Sequence, residues 1–338
     1  VCEVQARSAP LGRFGLTLAT TAFSKLRVRR ESCDAVSECP SEINMLRFGL
    51  LYPALGVAIA SFAVLAIYGA SATVWIVQAM AVVAAAAIVL AGKLLGRWYG
   101  APLPAALIPA ATLIGIAAPI FSDKPGPERW ISLGPLSLYV APVLLPAFLV
   151  ACSTCACRPG VPERMALIAL AGVSVLLALQ PDGSQAFALL MGAAIAVAQA
   201  RERSPLAVVA LIVAALATVW AFTRPDPLEP IPYVEGVFEL ALGYSLLAGL
   251  AVVASAAALI ASLHLSSSSA GRGLSAVAAY YAVLYACSVA GLTPAPLIGY
   301  GAGPWLGFGL AVGAVSWSGR RVDASIQPPK RNTRSAFG

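Results

Sequence analysis

Few residues in this chain have side chains that could do chemistry, and most of those fall in four short segments. Glu235 and Glu239 stand four apart, the spacing that puts two side chains on one face of a helix. Two carboxylates that close favour sharing a proton, which suits a base or a proton relay. A pair of acids at a helix entry with no such role is the alternative. Three cations, Lys124, Arg129 and Arg224, lie in comparable segments. Arg129 adjoins Trp130, whose ring favours a membrane interface; it either holds an anionic group or anchors a helix end by snorkelling. Lys124 and Arg224 each have an acid at hand to pair with, Asp123 and Asp226. Asp182 follows Gln180 and Pro181 just ahead of an apolar run, where it would cap a helix N-terminus. Tyr300 offers a hydroxyl in a glycine-rich segment.

Scarcity excludes other chemistries. His264 is the only histidine, which disfavours a His-based metal site or a Ser-His-Asp triad. Cys152, Cys155 and Cys157 form C-x2-C-x-C with no evident fourth ligand nearby, so free thiols in a reducing compartment are expected. No phosphate-binding glycine loop or dinucleotide fingerprint occurs. The residues call for no cofactor, and only a divalent cation is left open.

The elements that must position these residues are membrane spans. Of the 338 residues, 59% are hydrophobic and 11% charged, where an ordinary soluble chain carries about 25% charge. Twelve of the 37 charged residues lie in 1–47 and six in 320–338, leaving 19 for the 272 residues between. That distribution excludes a soluble globular enzyme, a disordered tail protein and a nucleic-acid-binding domain. A helix needs about 20 mostly apolar residues to cross a bilayer. Ten such stretches are legible: 48–68, 72–95, 101–121, 136–152, 164–180, 184–200, 205–222, 236–263, 273–291 and 300–318. The runs are continuous and rich in Ala and Leu rather than alternating, so strands are not expected. The predicted fold is an all-α polytopic membrane bundle of about ten transmembrane helices.

Lysine and arginine fix its direction. With the first loop outside, the inner side collects 12 cations and the N-terminal segment seven, against three outside (Lys124, Arg129 and Arg224). Both termini are therefore expected in the cytoplasm, and the net charge of +7 needs no nucleic-acid partner. Residues 1–47 are polar and carry no span; they are expected to be a disordered extension or a mis-assigned start, with Met45 as a natural beginning. Residues 48–318 form the membrane domain, and 319–338 read as a basic tail at the cytoplasmic surface. The run Ser266–Ser269 reads as an inner-loop linker. Gly299, Gly303 and Gly307, and Gly309 with Gly313, have the small-xxx-small spacing of close helix packing.

Three strings carry a resemblance. Arg129-Trp130-Ile131-Ser132-Leu133-Gly134 is similar to the Arg-Trp-Ile-x-Leu-Gly of the SEDS family (shape, elongation, division and sporulation; RodA- and FtsW-like proteins). Gln180-Pro181-Asp182 resembles that family's Gln-Pro-Asp-Leu-Gly-Thr, and Ile298-Gly299-Tyr300-Gly301 resembles its Pro-Phe-Ile-Ser-Tyr-Gly-Gly. The three stand in the family's order, across essentially the whole of 48–318. The resemblance implies a glycosyltransferase that polymerises an undecaprenyl-pyrophosphate-linked disaccharide into peptidoglycan at the outer face of the bacterial inner membrane. It implies a class B penicillin-binding transpeptidase, other divisome or elongation-complex membrane proteins and membrane lipid as partners. That reaction needs a base at the acceptor hydroxyl and positive charge at the leaving pyrophosphate. Glu235 falls where the family has a catalytic Asp, with Glu239 as a possible relay. Arg129, with Lys124 or Arg224, would face the pyrophosphate, and Trp130, Gln180, Asp182 and Tyr300 would contact substrate.

The sequence also departs from the family. Val234-Glu235-Gly236-Val237-Phe238 replaces a Thr-Asp-Phe-Ile-Phe-type string, and Gly243 and Tyr244 stand where two acids normally follow. In the fourth span Tyr139, Val140, Ala141, Pro142 and Leu145 occupy the places of a Gln-Pro-Ser-Glu string and a Lys. A rival reading is therefore a scaffold that has lost the reaction and binds precursor or a transpeptidase. A third is a ten-span lipid or solute transporter, for which few ionisable residues lie at mid-bilayer depth.

Overall fold

The computed structural model describes residues 50–99, 107–121, 129–133, 136–156, 160–200, 204–224, 231–270 and 273–318. The expectations for 1–47, for the tail 319–338, for Lys124 and for Cys157 lie outside the described residues.

The protein is a polytopic membrane bundle, and its described residues are almost wholly α-helical outside short loops and one hairpin. In chain order the helices are α1 (Leu51–Tyr68), α2 (Ala72–Tyr99), α3 (Leu107–Ala117, extended by a 3-10 turn Ala118–Phe121), α4 (Val140–Ala156), α5 (Val161–Leu179), α6 (Gly183–Ala198), α7 (Pro205–Phe222), α8 (Val237–Tyr244), α9 (Leu246–Ala270), α10 (Gly273–Val289) and α11 (Ala302–Ser318). Four of them, α2, α5, α7 and α9, are long and apolar enough to cross a membrane; α1, α3, α4, α6 and α10 supply shorter apolar helices of 10–17 residues. Helix starts follow local chemistry. Pro205 opens α7 behind Ser204, whose side chain accepts from the Ala207 amide at 3.3 Å. Glu163 sits in the first turn of α5, where the helix dipole favours an acid.

α4 is the central helix. Nearly every side chain along it is buried, and it packs against α3, α5, α6, α10 and α11. α11 lies between α4 and α2, and its glycines divide between the two neighbours. Gly303 and Gly307 face the backbone at Tyr139 and Pro142, while Gly309 and Gly313 face Ala85 and Ile88 of α2. A Cβ at Gly307 would overlap the Pro142 carbonyl oxygen, so only glycine permits that approach. The spacing is used for packing, as the sequence indicates.

Three boundaries differ from expectation. The stretch read as the start of the fourth span is instead half of an antiparallel hairpin, β1 (Trp130–Leu133) with β2 (Leu136–Tyr139). Trp130 opposes Tyr139 across it, with ring centroids 5.2 Å apart, the kind of aromatic cross-strand pair that stabilises a short hairpin. The run 236–263 is broken at Ser245, whose backbone is extended (φ −166°, ψ 152°) and whose Oγ accepts from the Ala248 amide at 3.1 Å. The serine thereby starts α9 as a new helix. Lastly, the Ser266–Ser269 run is helical, since α9 continues to Ala270.

Candidate functional site

The candidate residues gather at the end of the bundle that carries the hairpin and the loops before α6, α8 and α11. Two clusters form there.

The first surrounds the turn between α5 and α6. Arg129 is only 6% exposed and donates from Nε to the Gln180 carbonyl and from Nη2 to the Pro181 carbonyl, each at 3.0 Å. Arg224 reaches the same helix end, donating to the carbonyls of Ala178 (3.2 Å) and Leu179 (2.8 Å). Its guanidinium also lies 5.8 Å from the Trp220 ring. Carbonyls that end a helix have no partner within it and carry the negative end of its dipole, which is why two arginines from different loops converge there. The Gln180 amide binds the Ile116 carbonyl at 2.6 Å and so ties the turn to α3.

Asp182 caps α6 as its sequence position indicates, accepting from the Gln185 amide at 3.3 Å. Its other oxygen accepts the Tyr139 hydroxyl. Burial, then the negative charge of Asp182, push the Tyr139 hydroxyl well above its usual range, and Arg129 offsets part of this. The chain continues inward: the Tyr280 hydroxyl donates to Gln185 Oε1 at 2.6 Å, and the Tyr280 ring meets Tyr281 edge-on. Tyr139, Gln185 and Tyr280 do not stand out in the sequence as candidate site residues. The available signal was an uncharged polar group inside an apolar run.

The second cluster joins the loop before α8 to the loop before α11. Glu235 lies in a turn, Pro232–Glu235, ahead of α8 rather than on it. The shared helical face with Glu239 therefore does not form, and Glu239 is exposed on the first turn of α8. The Glu235 carboxylate accepts from the Ile231 amide at 2.7 Å and closes its own turn. This turn is laced to the second loop by Ala295 N to Val234 O (2.9 Å) and Tyr300 N to Tyr233 O (3.1 Å). Gly299 passes so close to Val234 that a Cβ would lie 2.6 Å from its carbonyl oxygen. Gln78, fully buried in α2, fixes the second loop by accepting from the Gly301 amide at 3.1 Å and donating to Ser61 Oγ at 2.8 Å. Burial, with Tyr233 beside it, raises the Tyr300 hydroxyl above its usual range.

The two clusters are linked. Ser184 donates to the Leu292 carbonyl at 3.2 Å, and Ser288 donates to the Glu235 carbonyl at 3.3 Å. The arrangement thus offers a carboxylate on a braced turn, tyrosine hydroxyls and two arginines at one end of the bundle. Among the described residues no three His, Cys, Asp or Glu side chains come together. Cys152 and Cys155 are buried in α4, and His264 is exposed near the far end of α9.

No family model and no curated relative matches the sequence. The fold is similar to the crystal structure of the rod shape-determining protein RodA of Thermus thermophilus, with 21% identity and a TM-score of 0.59 over 81% of this chain and 96% of that one. A mutant of the same protein matches with 20% identity and a TM-score of 0.60, over 81% and 97%. The likeness is one of fold, and it extends over nearly the whole of the solved structure.

Proposed function

We propose that this chain is a divergent SEDS protein of the bacterial cytoplasmic membrane that polymerises an undecaprenyl-pyrophosphate-linked disaccharide at the outer face. One observation carries the reading: in a fold shared with RodA, Glu235 sits on a turn braced by the loop before the last helix, at the end that gathers the other polar residues. In this reaction the 4-hydroxyl oxygen of the acceptor sugar attacks the anomeric carbon of the donor, and Glu235 takes the hydroxyl proton. The new C–O bond forms as the bond to the pyrophosphate oxygen breaks, and the lipid pyrophosphate leaves with the electron pair. Lys124, Arg129 and Arg224 supply positive charge on that side of the membrane. Trp130 and Tyr300 contact the substrate, the buried Gln180 and Asp182 hold the turn behind it rather than touching it, and Glu239 relays the proton to water. A transpeptidase that cross-links the product is the partner this activity calls for.

A scaffold without chemistry is the second reading, and a specific observation favours it. Arg129 and Arg224 both donate to backbone carbonyls, and the Glu235 carboxylate accepts from its own turn. The deciding experiment is polymerisation of lipid-linked precursor by the purified protein in liposomes. Loss of a general base costs about 100-fold or more, so Glu235→Gln is expected to abolish polymer while Glu235→Asp keeps it. Full activity in the Gln variant would overturn the mechanism. A wild-type protein that binds precursor or transpeptidase but makes no polymer is the scaffold.

A further inference from the structure

Beside Glu235 stand three tyrosines from three separate elements. Tyr68 is the last residue of α1, Tyr233 lies in the turn before α8, and Tyr300 lies in the loop before α11. The Tyr68 and Tyr233 rings have centroids 4.5 Å apart at 44°, and Tyr233 and Tyr300 are 5.9 Å apart at 59°. Successive tilts of this size make a faceted ridge rather than a flat stack. Tyr68 is 44% exposed, and Tyr233 and Tyr300 are half-buried. The ridge is rigid for a surface feature, because the Tyr233 and Tyr300 backbones are hydrogen-bonded to each other and Gln78 anchors the loop on either side of Tyr300.

From this placement we infer that Tyr68, Tyr233 and Tyr300 form a saccharide subsite adjoining Glu235, one that holds a pyranose ring by its C–H face. The inference rests on the proposed function for the identity of the reacting sugar, but the physical case is independent of it. A pyranose presents an apolar face of C–H bonds rimmed by hydroxyls. An aromatic ring matches the face, and a phenol hydroxyl or a neighbouring carboxylate matches the rim. Tyr233 shares the turn Pro232–Glu235 with Glu235, so a sugar on the ridge lies next to the carboxylate-bearing turn. Membrane-interface tyrosines without a ligand also cluster at this depth. They do not require residues of three elements to be braced against one another.

A sugar on the ridge has two sources: the growing glycan strand or the lipid-linked precursor. The full-length protein in detergent is titrated with a soluble tetramer of β-1,4-linked N-acetylglucosamine, which stands in for the strand, and separately with lipid-linked precursor. An aromatic contact contributes about 0.5–1.5 kcal/mol, so removing one should weaken binding by about threefold to tenfold. Tyr68→Ala and Tyr233→Ala are expected to show that loss, and Tyr68→Phe to bind within about twofold of wild type, since stacking survives without the hydroxyl. Tyr68→Leu keeps bulk without the π face and serves if an alanine variant fails to fold. Loss confined to the lipid-linked ligand assigns the ridge to the precursor, loss confined to the tetramer assigns it to the strand, and loss with both shows that it holds the sugar of either. Wild-type affinity in the Ala and Leu variants, or no binding of either ligand by the wild type, overturns the subsite. Polymerisation by a protein whose tyrosine variants bind normally leaves the proposed function standing and removes only the ridge. Tyrosine-dependent binding without polymerisation does the reverse.

Discussion

The Tyr139 hydroxyl donates to the carboxylate of Asp182, joining the end of the hairpin to the cap of α6. Asp182 is 3% exposed and Tyr139 8%, so neither has water in quantity as an alternative. A buried carboxylate is tolerated only where donors surround it. Here the donors come from a backbone amide of its own helix and from a side chain 43 residues away. The contact therefore does more than satisfy a charge: it sets where the hairpin lies over the bundle, and with it where Arg129 meets the α5 end.

Tyr139→Phe tests this directly. The ring keeps its stack on Trp130 and loses only the donor. A buried acceptor left short of a partner costs about 1–3 kcal/mol, so a lower melting temperature is expected in detergent. Trp130 fluorescence should stay close to wild type if the stack is kept. The alkaline limit should also move. Because burial and Asp182 raise the folded hydroxyl above its unfolded value near 10, its contribution is fully present below that pH. The contribution is lost as pH rises through the folded value. Wild type is therefore expected to lose stability above about pH 10 more steeply than Tyr139→Phe.

The arginines at the α5 end are expected to differ from each other. Arg129 is buried with a fork spanning two carbonyls, while Arg224 is exposed. Arg129→Lys keeps the charge but replaces a planar fork with a point charge, and should cost about 1–3 kcal/mol in unfolding. Arg224→Lys should cost under about 1 kcal/mol, as exposed polar contacts usually do. Equal losses measured by thermal unfolding would contradict the staple assigned to Arg129.

Gln78→Leu should loosen the loop before α11 with little effect on the helices. The glutamine meets Ser61, Gly299 and Gly301 at once, and leucine can bond none of them. Hydrogen exchange reads the outcome: the Gly301 amide, which donates to Gln78, is expected to exchange at least about tenfold faster, the equivalent of about 1.4 kcal/mol. Amides in the middle of α4 should be unchanged.

What the sequence made legible follows from how strongly each feature repeats. The helices announce themselves through long, predominantly apolar runs, four of them long enough to cross a membrane, and the Asp182 cap through one acid ahead of such a run. The hairpin does not, because Trp130–Leu133 and Leu136–Tyr139 are too short for a two-residue period to show. Nor does the break at Ser245, since a lone serine in an apolar run is as much at home inside a helix as at its start. Arg129 and Arg224 are legible as isolated cations between apolar runs, but the partners shown here are main-chain carbonyls, which have no sequence signature. Glu235 and Glu239 show the reverse error: the spacing implies one face, and Gly236 as the α8 N-cap places the first acid outside the helix.

Two glycine substitutions of opposite sign test the packing that holds the site in place. A Cβ at Gly307 overlaps the Pro142 carbonyl oxygen, and backbone on both sides leaves nothing flexible to move aside. Gly307→Ala must therefore push α11 from α4, and since overpacking costs about 1–3 kcal/mol, a clear fall in melting temperature is expected. The hairpin should feel it, because Gly303 on the same face lies against the Tyr139 carbonyl. At Gly243, near the end of α8, a Cβ meets nothing within 4 Å. Gly243→Ala gains helix propensity and should be neutral or stabilising by up to about 1 kcal/mol. If both alanines behave alike in the same thermal assay, close α11–α4 contact is not what positions the hairpin and the loop that follows α10.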